Sequence, residues 1–304
     1  MTEFSGAVYP SRNDNPGPGR ELGLFARSAG KKYLLCAGAG YDDITLPLAF
    51  EPDTSFAYSL GLDHAGELIS RLTGRSLEDV FQDKIFRPLE LDSLSFFPDD
   101  SNRAMECMVY DSKSGGARVI RGDVWGKTAN KADVTFRSGG SGLYGTAADF
   151  LTFLQAILQS DPKARRDAGE TRFLSTQSFH DLFQPSLGPS THCDSKKRGL
   201  AALLHRDEVF VDHSIGFVLE MENNPSRRRK GSGSWYGAAL TNFWIDPETG
   251  VAAVCATQML EAPAEPWQGF YRTFEETVYS HLVPQEGSDD EARISGDRGV
   301  KSPF

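Results

Sequence analysis

The chain is 304 residues long and carries a formal net charge of −10, with a sequence pI near 5.1. A surface of that sign repels nucleic acid and anionic membrane, so neither is expected as a partner. Hydrophobic residues at 39% and charged residues at 24% are the proportions of an ordinary soluble globular enzyme with enough chain for a buried core.

Residues 1–40 read as an irregular arm, rich in Pro, Gly, Asn and Ser at its start and without the basic-then-apolar pattern of a secretory leader. No apolar run approaches the ~20 residues of a membrane span. Folded patterning begins at Tyr41 and is expected to run to residue 283. PLAFEPDTSFAYS (47–59), with two prolines and several aromatics, reads as an ordered loop. Leu62, Ala65, Leu68, Ile69 and Leu72 then fall at helical spacing, with Gly74 as the stop. Ser76-Leu-Glu-Asp opens a second helix, whose buried stripe is Leu77, Val80, Phe81 and Ile85 before Pro88. A third starts after Thr146, with Phe150, Leu151, Phe153, Leu154, Ile157 and Leu158 on a wide apolar face. Arg227 to Lys230, flanked by Asn, Pro and Gly, reads as a solvated turn.

Near residue 210 the period changes. Residues 215–221, 240–246 and 250–258 are expected as antiparallel strands, the last two joined through Asp246-Pro-Glu-Thr-Gly250. A closing helix of about 267–283 presents Phe270, Tyr271, Phe274, Val278, Tyr279 and Leu282, and the polar residues 284–304 are expected to be disordered. The fold class is therefore α+β, an antiparallel sheet (about 211–283) flanked by helices, with a helical insertion over about 60–210.

Several chemistries lack their motif. Ser138-Gly-Gly-Ser-Gly142 and Gly231-Ser-Gly-Ser234 do not have the spacing of a nucleophile elbow, and the six histidines form no HExxH pair. His213 beside Asp212 reads as a structural pair rather than a catalytic base. Cys36, Cys107, Cys193 and Cys255 are scattered without a CxxC pair, which gives neither a disulfide framework nor a zinc site and fits a reducing, cytoplasmic setting.

Three segments do carry a pattern, in order along the chain: FEPDTSFAYSLGLDHAGELISRLTGRSLEDVFQDKIFRPLELDSLSF (50–96), SGGSGLYGTAADFLTFLQAIL (138–158) and RRRKGSGSWYGAALTNFWIDPETGVAAVCATQML (227–260). The first resembles the tyrosine-motif region of class C β-lactamases, family VIII carboxylesterases and fungal lovastatin-type acyltransferases. The second is similar to that superfamily's glycine-rich turn and following helix. The third resembles its sheet-edge strand, with Trp-x-Gly in place of Lys-Thr-Gly as in the fungal acyltransferase branch. The resemblance implies a β-lactamase/transpeptidase-like fold, N-terminally shortened, and an acyltransferase that moves an acyl chain onto a polyketide-type alcohol. A carboxylesterase and a non-catalytic relative are its alternatives. It implies a small-molecule substrate, an acyl carrier domain of a polyketide synthase as donor, and no cofactor or metal.

The same resemblance assigns the site. Tyr58 stands at the position of the general base, with Leu60 where β-lactamases have the asparagine of Tyr-x-Asn, a departure that argues against β-lactam binding. Trp235 and Gly237 stand at the substrate and oxyanion edge, and Tyr58 and Trp235 are expected to line one cleft. The nucleophile and its lysine belong to a Ser-x-x-Lys motif, of which this chain has one, Ser28-Ala-Gly-Lys31. Ser28 and Lys31 share a face if that segment is helical, but Gly30 disfavours the helix by roughly 1 kcal/mol relative to Ala, and little chain separates it from Tyr58.

Overall fold

The computed structural model describes residues 40–48, 50–56, 58, 60–97, 105–111, 113–120, 136–164, 172–188, 193–204, 211–224, 226–260 and 264–282. A short helix α1 (Tyr41–Ile44) precedes α2 (Gly61–Thr73) and α3 (Leu77–Phe81), and α3 runs on as one π turn to Phe86. The local signals hold. Gly74 stops α2 at φ 65°, a left-handed conformation that costs glycine little. The Ser76 hydroxyl accepts the Asp79 N–H at the start of α3.

Strands β1 (Met108–Asp111) and β2 (Gly116–Val119) form an antiparallel pair. Helices α4 (Ala147–Leu158), α5 (Thr176–Phe183) and α6 (Cys193–Leu203) follow. Thr146 caps α4 by accepting the Asp149 N–H, as its side-chain chemistry predicts.

Five strands then build the main sheet: β3 (Val211–His213), β4 (Val218–Glu220), β5 (Gly233–Tyr236), β6 (Asn242–Asp246) and β7 (Val251–Cys255), in that spatial order and antiparallel throughout. Alternation along β6 divides the core in two. Ile245 and partly buried Phe243 pack with Leu154 and Ile157 of α4 on one face. Trp244 packs on the other with Tyr271, Phe274, Val278 and Tyr279 of α7 (Ala264–Leu282). The sheet is thus covered by helices on both sides. A last strand, β8 (Met259–Leu260), leaves the main sheet and pairs in parallel with β1 over two residues.

Three strand expectations change in detail. The first expected strand begins at Val218, not 215, because the Ser214 hydroxyl accepts the N–H groups of Gly216 and Phe217 at 3.1 Å each and holds a tight turn. That turn joins β4 to β3, whose three residues are too short for a sequence pattern. The second begins at Asn242 because Leu240, at φ 60°, lies in a turn closed by Leu240 N–H to Gly237 O at 2.9 Å. The third ends at Cys255, where the chain departs toward β8.

The basic run Arg227–Lys230 corrects the sequence reading. It is not simply a solvated turn. Arg228, 8% exposed, donates through Nε and Nη2 to the Glu275 carboxylate at 2.8 and 3.0 Å. Burial pushes the Glu275 carboxyl up, but the hydrogen bonds and charge of Arg228 outweigh it and hold the group below its ordinary range. The link between β4 and β5 is therefore clamped to α7, and the signal was invisible because its partner lies 47 residues away.

Candidate active site

The tyrosine loop reaches its place through a turn. Glu51, Pro52, Asp53 and Thr54 close on a Thr54 N–H to Glu51 O bond of 3.1 Å. Pro52 supplies a fixed φ at the second position and Asp53 takes φ 71° at the third, the signs of a type II turn. Beyond the turn Phe56 is buried with Leu187, Leu200, Ala201, Val211 and Val218, and Trp235 packs against the same cluster. This anchoring lays the Tyr58 ring on the Trp235 ring, with centroids 6.2 Å apart and planes 17° from parallel. Tyr58 stays 42% exposed. The two residues expected to share a cleft are stacked.

Trp235 is also met edge-on by His213, centroids 5.6 Å apart at 81°. The His213 Nδ1 lies 2.5 Å from Ser214 O. A carbonyl only accepts, so Nδ1 carries the proton and Nε2 keeps the lone pair. Burial lowers the His213 pKa to about 4, so the ring is neutral at neutral pH. Asp212 does not orient it: the Asp212 carboxylate accepts the backbone N–H groups of His213 and Leu187 at 2.8 and 3.1 Å.

Strand β5 has two unlike halves. Its ladder with β4 ends at Ser234, whereas that with β6 continues to Tyr236. The strand is thus internal at Gly233 and approaches an edge only toward Trp235. Gly237 lies just past it. Its N–H donates to Thr241 O at 2.8 Å, which takes that group out of the expected oxyanion role. A Cβ there would come no nearer than 3.9 Å to Thr241, an ordinary contact, so the fold itself does not demand glycine at this position.

The glycine-rich turn has a structural job. The Ser138 hydroxyl and the Gly140 N–H both donate to the fully buried Asp63 of α2. Gly139 is pressed on that helix so closely that a Cβ would sit 2.2 Å from Leu62 O. Ser28 and Lys31 lie outside the described residues; of the expected set the structure brings Tyr58 and Trp235 together, with Gly237 just past the end of the Trp235 strand. It adds two residues that sequence reasoning missed. Lys196 of α6, 2% exposed, lies 2.5 Å from Asp53 Oδ1. The Glu-Pro-Asp-Thr turn had a legible proline signal, but Lys196, 143 residues further on, had none. Among the described residues no cluster of three or more His, Cys, Asp or Glu is arranged to hold a metal, and no helix is long and apolar enough to cross a membrane.

Comparison with known proteins puts this geometry in a family. A lovastatin esterase of Penicillium rubens is 28% identical over 255 residues, 80% of this chain and 60% of the relative. A monacolin J acid methylbutanoyltransferase of Aspergillus terreus is 25% identical over 256 residues, 77% of this chain and 56% of the relative. The fold superposes on a mutant of simvastatin synthase from Aspergillus terreus with a TM-score of 0.74 at 22% identity, over 92% of this chain and 64% of that one. The chain thus spans between 56% and 64% of the length of these relatives. The β-lactamase family model matches residues 34–268. Because that match takes in the tyrosine loop, the glycine-rich turn and the tryptophan strand alike, the chain belongs to the β-lactamase family.

Proposed function

We propose that the chain serves acyl transfer through a covalent acyl-serine, moving an acyl group from a thioester donor onto a polyketide-type alcohol. The observation that carries the reading is the half-exposed Tyr58 ring stacked on Trp235. In this scheme a serine oxygen attacks the thioester carbonyl while its proton passes to the Tyr58 oxygen. The thiol leaves with that proton, and the acceptor alcohol then displaces the serine by the same route reversed. A phenol with an unperturbed pKa of ~10 needs a neighbouring cation to act as this base. Lys31 is the candidate cation and Ser28 the candidate nucleophile. Trp235 contacts the acyl or alcohol group, and Gly237 leaves space for it.

Ester hydrolysis is the second reading, because one relative is an esterase and another an acyltransferase. Both reactions share the acyl-serine and differ in whether water or an alcohol takes the acyl group, so water exclusion decides between them. The test is incubation with a short-chain activated acyl thioester, following thiol release and mapping the acyl adduct by peptide mass. An adduct at Ser28, lost in Lys31→Ala and Tyr58→Phe, supports the reading. Thiol release that is unchanged in Tyr58→Phe sinks it.

A further inference from the structure

A distant buried lysine holds the loop that presents Tyr58. Asp53, at the third position of the turn, takes φ 71°, a conformation that Asp tolerates, and its side chain is met by α6. Its Lys196 ammonium reaches Asp53 Oδ1 at 2.5 Å from a side chain that is 2% exposed, whereas the Asp53 side chain is 67% exposed. Three residues on, Gly199 shares the same helix face and lies against the loop, where a Cβ would be 3.1 Å from Phe56 Cβ and 3.2 Å from Phe56 O. Helix α6 therefore grips the loop at Asp53 and Phe56, just ahead of Tyr58.

Asp53 would be well solvated without the pair, whereas the Lys196 ammonium, on a side chain only 2% exposed, would not. What the pair does provide is a place for the turn. We propose that Lys196 is a positioning residue, whose ion pair with Asp53 locks the loop so that Tyr58 lies on Trp235 in register for proton transfer. The inference rests on Tyr58 being the proton acceptor.

The test labels the protein with 3-fluorotyrosine and reads each ring by fluorine NMR, with Tyr58→Phe assigning the Tyr58 line. In Lys196→Met that line moves to the position of a solvent-exposed tyrosine as the ring leaves the Trp235 face, while the other lines stay. Asp53→Ala alters an exposed side chain and gives the same shift should Lys196→Met fail to fold. In the thioester assay both variants lose about 10²-fold in kcat with KM little changed, the expected cost of misplacing a reacting group by about 1 Å. An unmoved Tyr58 line in either folded variant overturns the positioning role, and it does so even where Tyr58→Phe abolishes turnover. A moved line with undiminished turnover instead overturns Tyr58 as the base and leaves Lys196 as the holder of its loop.

Discussion

Replacing Glu275 by glutamine keeps the shape of the side chain but removes the charge that neutralises Arg228. Glu275 is 0% exposed and Arg228 8%, so neither group can turn to water for compensation. Removing one partner of such a pair costs about 3–5 kcal/mol, because the Glu220 carboxylate that remains, 3.9 Å from Arg228 Nη1, does not replace the two direct hydrogen bonds. Arg227, whose Nη1 lies 3.4 Å from the same carboxylate, loses its partner too. The expected result is a drop in melting temperature on the order of 10 °C, read by thermal unfolding at pH 7. The pH dependence has a defined sign. Glu275 is held below its ordinary pKa in the folded state, so its stabilisation is present above the unfolded value of ~4.3. It is lost as pH falls through the lower folded value. Glutamine does not titrate, so the gap between wild type and Glu275→Gln should close in acid. A variant within about 1 kcal/mol of wild type at pH 7 would refute the claim that this buried pair clamps the β4–β5 link to α7.

Other expected outcomes follow from the same contacts. Gly139→Ala should destabilise the protein by roughly 1–3 kcal/mol or more, because its Cβ meets the backbone oxygen of Leu62 at 2.2 Å. Gly74→Ala, with no atom within 4 Å of its Cβ but φ at 65°, should cost only about 1 kcal/mol; denaturant midpoints compare the two. His213, with its pKa lowered to about 4 by burial, stays neutral in the folded state while the unfolded chain protonates below ~6.5. Stability should therefore fall as pH drops from about 6.5 toward about 4, and His213→Gln should flatten that part of the curve. Trp235→Ala should weaken the hold on Tyr58 and appear as a shift of the Tyr58 line in the fluorotyrosine spectrum.

What the sequence revealed was local. The Gly74 stop and the Ser76 and Thr146 caps depend on residues within one helical turn, and all three form as their chemistry dictates. The alternation of Phe243, Trp244 and Ile245 marks β6 because Phe243 and Ile245 face one helix layer and Trp244 the other. Tyr58 and Trp235 were legible only through the segments flanking them, since an isolated aromatic has no periodicity. What stayed hidden was pairing across distance. Arg228 with Glu275 and Asp53 with Lys196 join residues whose neighbours carry no sign of a partner. The Gly237 N–H could not be read either, because its bond to Thr241 depends on how tightly the β5–β6 turn closes.

The central claim is that Tyr58 activates a serine. Fluorophosphonate labels a serine only as fast as its hydroxyl is deprotonated, so the labelling rate of the intact protein measures that activation directly. A single adduct is expected, mapped by peptide mass, whose rate falls about 10²-fold or more in Tyr58→Phe while the fold, followed by circular dichroism, is unchanged. A serine that labels equally fast with and without the Tyr58 hydroxyl would contradict that claim.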